Sequence, residues 1–296
     1  MKVLITGASG LLGRAIKKEL EAVNGWKILG LGFTRLNGGL KKVDLTDSDE
    51  LEKVMNDFQP DVVVHSAAER RPDVVGNKET ETVALNIKAT EHIAKLASKL
   101  GSFLIYISTD YVFDGSAPPY TPNSKPNPLN RYGQTKFEGE KVTASNCERH
   151  AILRVPILYG EVERVNESAV TGLLVNLKDT STPSKISNYE LRYPTFTEDV
   201  AVVCRQMIQH SQTAPTFKGI FHWQGNEQLT KYQMVKIMSK VFNLSMDHLE
   251  PVNGPTSSST PRPYHCQLDC SGLEKLNIGA RTSFEGAIKR VLQKFV

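Results

Sequence analysis

With 296 residues, 40% hydrophobic and 23% charged, the chain can bury a full core and lacks the composition of a disordered protein. Its formal charge of +4 is spread thinly, densest at Arg70 and Arg71 and at the lysine pairs 17/18 and 41/42, which excludes a nucleic-acid footprint. The longest apolar runs are too short to span a bilayer, and KVLITGASG at the start reads as a strand rather than a secretion signal.

A cytoplasmic location is therefore expected, with the nucleus also open. Short aliphatic and β-branched runs alternate with amphipathic stretches of helix length through the first half, the pattern of a parallel sheet covered on both faces. Predicted strands are Lys2–Thr6, Lys27–Leu31, Lys42–Asp44, Asp61–His65, Phe103–Ser108 and Ala151–Val155. Leu51, Val54, Met55 and Phe58 recur at helical spacing after start signals at Thr46 and Ser48; Val83, Ala84, Ile87, Ile93, Ala94 and Ala97 do so farther on. After Gly160 the alternation lapses, and Pro, Ser and Thr cluster at 180–184 and 254–263. The expected fold class is α/β: a Rossmann-type doubly wound parallel sheet over residues 1–160, then a smaller C-terminal α/β lobe over 161–296 from which some elements can return to the first domain. In that lobe Thr230 and Gln233 form a capping box ahead of an apolar face of Met234, Val235, Met238, Val241 and Phe242, read as core.

Four cysteines in a chain of this size fit reduced thiols, and HCQLDC (265–270) has neither a second ligand cluster nor a CxxC, so no metal is expected. The sequons at Asn166 and Asn243 carry no weight without secretion.

The stretch VLITGASGLLGRAI places Gly7, Gly10 and Gly13 directly after a strand and at the opening of a helix. Glycine allows the tight turn and close backbone approach, while the uncapped N–H groups at the helix start attract a pyrophosphate. About 20 residues on, where an acid would accept the ribose 2′-hydroxyl of NAD, LGFTRLNGG has none. Arg35 stands there instead, and a guanidinium suits a 2′-phosphate, so NADP(H) is the expected cofactor. In NRYGQTKFEGEK, Tyr132 and Lys136 lie one helical turn apart on one face. A neighbouring ammonium favours the phenolate and can also hold a nicotinamide ribose. Ser108 and Thr109, at the end of the fifth strand in IYISTDYVFDG, offer the hydroxyl that a carbonyl reduction needs.

The GxxGxxG spacing resembles the extended short-chain dehydrogenase/reductase superfamily. That resemblance places Asp44 and Leu45 of VDLTD near the adenine, and Ser66, Ala67 and Ala68 of VVHSAAERRPDVV against the cofactor with Arg70 reaching toward the phosphates. STDYVFDG followed by the Tyr132/Lys136 pair resembles the dTDP-4-dehydrorhamnose reductases, which implies Thr109 as catalytic hydroxyl, Tyr132 as acid and Lys136 as its partner. Tyr111, Phe113 and Asp114 would then shape the substrate side. From Lys2 to Phe284, the segments SAAERRPDVV, LRVPILYGEVERVNESAVT, RYPTFTEDVAVVCRQM, FHWQGNEQLTKYQM and QLDCSGLEKLNIGARTSF resemble the regulatory β-subunit family of methionine adenosyltransferase. This implies an NADP(H)-binding regulator that forms a hetero-oligomer with a methionine adenosyltransferase catalytic subunit and modulates S-adenosylmethionine synthesis. It also implies cofactor contacts from Ser9, Gly10, Leu11, Leu12, Phe33, Thr34, Arg35, Asp44, Leu45, Ser66, Arg70, Tyr132 and Leu158. The alternative is an NADPH-dependent reductase of a nucleotide-linked 4-keto-6-deoxysugar; an epimerase, which retains NAD, fits Arg35 less well. Two departures stand out: the family pattern carries asparagine at the position of Asp44 and arginines at those of both Thr34 and Arg35. The family's longer C-terminal tail reaches into its partner, whereas this sequence ends at IKRVLQKFV, so a different or weaker partner contact is expected.

Overall fold

The computed structural model describes residues 1–71, 75, 79–255 and 260–296. Residues 72–74 of the SAAERRPDVV stretch and 256–259 of the second Pro/Ser/Thr cluster lie outside the described residues. Seven strands form one sheet: β1 (Lys2–Thr6), β2 (Lys27–Gly32), β3 (Lys41–Lys42), β4 (Val62–His65), β5 (Phe103–Thr109), β6 (His150–Val155) and β10 (Gly219–His222). Their order is β10, β6, β5, β4, β1, β2, β3, and every neighbouring pair is parallel. The order reverses between β1 and β4, the switch point where open α/β sheets bind ligands.

Alternation along the strands explains the layers. Val3 and Ile5 face one side with Val62, Val64, Phe103 and Ile105, and are covered by Leu12, Ile16 and Leu20 of α1 (Leu11–Glu21). Leu4, Val63 and Leu104 face the other side, against Leu51, Val54 and Met55 of α2 (Ser48–Phe58). The same face is covered farther on by Ile93, Ala94 and Ala97 in a helical segment made of α3 (Glu79–Val83), a π turn (Ala84–Lys88) and α4 (Ala89–Lys99). The start of α2 is capped by Asp47, whose carboxylate accepts from the Asp49 and Glu50 amides, one residue from each of the expected start signals. The predicted Lys42–Asp44 strand is displaced to Lys41–Lys42, although the Val43 amide still donates to Gly32 at 2.9 Å.

α5 (Arg131–Asn146) lies against β5 and the turn Asp110–Val112. Beyond β6, β7 (Leu158–Tyr159) pairs with β9 (Thr195–Phe196), and β8 (Ser184–Ser187) pairs with β11 (Leu249–Val252). A second core gathers Leu173, Leu174 and Leu177 of α6 (Leu173–Lys178), Met234, Val235 and Met238, and Phe284 and Ile288. The expected capping box is present: the Gln233 amide donates to Thr230 and the Thr230 amide to Gln233 at the head of α8 (Lys231–Phe242). Several elements from beyond residue 160 join the first core, among them Leu273 of the short helix Ser271–Glu274. α7 (Thr197–Thr213) packs along α1, and β10 extends the sheet beside β6. Short α9 (Ser271–Glu274) and then α10 (Phe284–Leu292) complete the chain's helices among the described residues.

Candidate functional site

A cleft of about 1250 Å³ runs from the carboxyl ends of β1, β2 and β4 to the second core. At its floor, Gly7 has φ +67, and a Cβ there would lie 2.7 Å from the Ala67 nitrogen. A Cβ on Gly13 would lie 2.1 Å from the Gly7 carbonyl. Both glycines are therefore required by the corner itself. Gly10 differs: its Cβ would meet only the Gly7 carbonyl at 3.2 Å. It leads into α1, which has no side-chain cap and no acid in its first turn, so the first amides and the positive end of the helix dipole favour an anion. That arrangement fits the pyrophosphate of a dinucleotide.

Around this floor the structure brings together every residue the sequence assigned to cofactor contact. Ser9, Leu11 and Leu12 line the glycine turn; Phe33, Thr34 and Arg35 follow β2; Asp44 and Leu45 follow β3; Ser66 and Arg70 follow β4; Leu158 closes the far wall. The Ser66 hydroxyl donates to the Thr6 carbonyl at 2.7 Å and pins the β4 end to β1. Phe33 is 53% exposed, an apolar face open to a flat ring system. Asp44 turns its Oδ1 to the Thr46 amide and hydroxyl, which fixes the VDLTD loop.

Arg35 is already engaged. Its Nη1 lies 2.8 Å from Glu163 and 2.9 Å from Glu167. Glu167 also accepts a bidentate pair of hydrogen bonds from Arg14, each 2.8 Å, and Arg70 donates to the Glu167 carbonyl. Burial pushes the Glu167 carboxyl up, but the Arg14 and Arg35 bonds outweigh it and hold the group at about 2. The segment after β7 thus ties together α1 and the loops after β2 and β4.

The other half of the cleft is built on α5. Asn130 caps this helix by accepting from the Gly133 amide at 2.9 Å. Its first turn can seat against Asp110–Val112 because a Cβ on Gly133 would fall 2.2 Å from the Tyr111 carbonyl. Nearly two turns later, a Cβ on Gly139 would fall 2.1 Å from the Tyr106 hydroxyl. These approaches set Tyr132 beside Thr109, with Tyr111 edge-on to its ring at 6.1 Å. Thr109, Tyr132 and Lys136 all line the cleft. The enclosing protein pushes the Tyr132 phenol up, against the opposing pull of the Thr109 hydrogen bond and the Arg70 charge. This direction is opposite to the phenolate-favouring one expected from the Tyr/Lys spacing. Burial of the phenol itself is the main cause, and Lys136 is perturbed as well: its Nζ sits 4.0 Å over the Tyr106 ring, and burial lowers it to about 7 despite Glu140. Near neutral pH part of the Lys136 population is therefore the uncharged amine, which offers the phenolate no stabilising charge.

Ser108 also lines the cleft, but its hydroxyl is committed elsewhere. Its hydroxyl donates to Glu140 at 2.5 Å, within a buried network in which Arg154 forks onto the same carboxylate at 2.8 and 2.7 Å. Phe113 and Asp114 also depart from their expected substrate-side role. Phe113 is buried and stacked on Tyr120 at 4.0 Å, and Asp114 accepts from Ser116, Tyr120 and Asn127 to shape its own loop. Conversely, the cleft contains residues the sequence left unassigned. Asp110 is buried at its edge, and burial raises its carboxyl to about 7 against the Arg192 charge and the Thr109 hydrogen bond. Arg192, itself buried, donates to the Pro263 carbonyl at 2.9 Å. Outside the cleft lining, buried Asn86 sits in the π turn, where its amide bridges the Glu69 backbone and Thr135; a π turn within a helix is the structural signal that marks it. His265, Cys266 and Cys270 of HCQLDC have separate partners in Gln228, the Phe113 carbonyl and the Leu268 carbonyl. No helix among the described residues is long and apolar enough to cross a membrane.

Comparison with known proteins agrees with this geometry. The family model described as the RmlD substrate binding domain matches residues 1–296. The methionine adenosyltransferase 2 subunit beta of Bos taurus is 48% identical over 295 residues, covering 100% of this chain and 88% of its own. A dTDP-4-dehydrorhamnose reductase of Sinorhizobium fredii is 29% identical, covering 93% of this chain and 91% of its own. Among solved structures, a dTDP-4-dehydrorhamnose reductase from Clostridium acetobutylicum superposes with a TM-score of 0.86 at 26% identity, covering 100% of this chain and 99% of that one. The chain belongs to the RmlD-type family and, within it, to the methionine adenosyltransferase β-subunit family.

Proposed function

We propose that this member of the methionine adenosyltransferase β-subunit family is an NADP(H)-binding regulatory subunit that associates with a methionine adenosyltransferase catalytic subunit and modulates S-adenosylmethionine synthesis. The observation that carries this reading is identity of 48% across the whole chain, second lobe included, since a shared dinucleotide site alone would account only for the first half. In the cleft, Gly7, Gly10, Gly13 and the start of α1 would hold the pyrophosphate. Arg35 would meet the 2′-phosphate, with Phe33, Thr34, Asp44 and Leu45 around the adenosine. Ser66, Arg70 and Leu158 would flank the chain of phosphates and riboses, and Tyr132 with Lys136 would hold the nicotinamide ribose. The test is direct. Purified chain and catalytic subunit should co-elute at micromolar concentration and the catalytic subunit's kinetics should change; neither association nor a kinetic effect would remove the regulatory reading.

One observation favours a second reading, that of a working reductase of a nucleotide-linked 4-keto-6-deoxysugar: Thr109, Tyr132 and Lys136 line the same cleft. When bound, the nicotinamide supplies hydride. Thr109 would donate a hydrogen bond to the substrate carbonyl, and the Tyr132 phenol, kept protonated by its surroundings, would deliver the proton to that oxygen. NADPH oxidation should then be seen with dTDP-4-keto-rhamnose and be abolished in Tyr132→Phe. Absence of turnover with any keto-sugar would leave the pair a purely binding role.

A further inference from the structure

The sequence offers Arg35 as the cation for a 2′-phosphate, yet the structure gives that guanidinium two carboxylate partners from the segment that follows β7. The same segment reaches two further arginines at this end of the molecule, with Glu167 on Arg14 and the Glu167 carbonyl on Arg70, while neighbouring Arg71 is paired with Glu69. It is also braced internally, because the Glu163 amide donates to Glu167 at 3.0 Å. Three guanidinium groups therefore face two carboxylates, leaving a single positive charge in excess. A phosphate monoester carries about −1.5 to −2 at neutral pH. Matching it requires one of the carboxylates to withdraw. Glu163 is the one placed to do so: its side chain is 40% exposed, while that of Glu167 is 10% exposed and held by two arginines.

We propose that Glu163 acts as a built-in competitor for the cofactor's 2′-phosphate, so that NADP(H), unlike NAD(H), must take Arg35 from it and in doing so loosens the 161–167 strap from the nucleotide cradle. The inference rests on the cofactor reading above. It makes Glu163 a residue that sets selectivity between the two dinucleotides, and it links occupancy of the site to the strap that leads into α6 of the second lobe. A 2′-hydroxyl has no charge with which to displace a carboxylate from a guanidinium, so NAD(H) leaves the strap in place.

The experiment is calorimetric titration of NADP⁺ and of NAD⁺ into the wild-type chain, Glu163→Gln, Arg35→Ala and the double variant. Glu163→Gln should bind NADP⁺ roughly three- to fivefold more tightly, the range set by a partly exposed ion pair, and NAD⁺ as before. In the Arg35→Ala background the gain should vanish, because the coupled partner is gone. Unchanged or weakened NADP⁺ binding, an equal gain for NAD⁺, or a gain that survives Arg35→Ala overturns the proposal. A second readout needs no variant: backbone amides of 161–167 should exchange hydrogen faster with NADP⁺ bound than with NAD⁺ bound, and equal exchange overturns the strap opening. If neither nucleotide binds any of these proteins, the cofactor reading falls and this inference falls with it; if NADP⁺ binds without dependence on Glu163, only the inference does.

Discussion

Lys136 is the residue whose environment and assigned task are most at odds. It is buried, near His65, Tyr106 and Glu140, and burial lowers it to about 7, whereas an unfolded lysine titrates near about 10.4. Between those values the unfolded chain binds the extra proton, so stability rises with pH across that window; below about 7 both states are protonated and the cost is fully present. In Lys136→Met the slope from pH 7 to 9.5 should flatten, and the variant should be more stable than wild type at pH 7, an effect up to a few kcal/mol. Urea unfolding at the two pH values checks it, and parallel slopes for the two proteins would refute it. Gly13 shows the opposite kind of constraint, since a Cβ there would meet a carbonyl oxygen at 2.1 Å. Backbone cannot move aside as a flexible side chain can, so Gly13→Ala should lower stability by about 1–3 kcal/mol and weaken dinucleotide binding as α1 is pushed from the turn. A melting curve and a titration measure both; an unshifted melting point would show that the corner relaxes freely.

At the scale of elements, the tyrosine helix is bolted to the sheet behind the cleft. Glu140 of α5 holds Ser108 of β5 and Arg154 of β6, and Arg154 in turn lies 3.3 Å from His222 of β10. Because the pair is buried, removing one partner strands the other, and Glu140→Ala should cost about 3–5 kcal/mol. Replacing both, as in Glu140→Leu with Arg154→Met, should cost clearly less than the sum of the single changes in denaturant unfolding. Additive losses would mean the two charges do not depend on each other. Much of this scale was legible in the sequence. β1, the glycine turn, the capping box of α8 and the Tyr132/Lys136 face are local patterns, set by residues within a few positions of one another. β10 was not, because an edge strand of four residues with only His222 buried has no apolar run to announce it. Arg35's carboxylate partners were equally hidden, since Glu163 and Glu167 come from beyond β7 and nothing in local spacing pairs them with the loop after β2. Phe113 and Asp114 sit next to cleft residues in sequence, but the chain carries Phe113 with Val112 into a separate small cluster and leaves Asp114 bonded within its own loop.

For the whole molecule, the question is whether residues 1–160 form a unit. The first core suggests that they do not: Val200, Val203, Cys204, Met207 and Ile208 of α7 pack in one cluster with Val3, Ile16, Leu20 and Phe103, and Trp223 joins them just after β10. Removing residues 161–296 would bare that face and the β6 edge whose partner is β10. It would also release Arg154 from His222 and α1 from the Glu167 clasp. Apolar surface of that extent is not tolerated on a folded monomer, and an unpaired strand edge invites association. A fragment of residues 1–160 should therefore be aggregated or lack fixed tertiary structure. The intact chain should unfold in one transition even though its second core, around Tyr159, Phe196 and Phe284, is distinct. Trp26 packs on the first core from the N-terminal half and Trp223 from the C-terminal half, so fluorescence of single-tryptophan variants reports each separately. Coincident curves for both, matched by far-ultraviolet circular dichroism, are the expected result. If Trp223 were instead to report an earlier transition that leaves Trp26 and nucleotide binding intact, the first 160 residues would be an independent domain and the later elements an attachment to it.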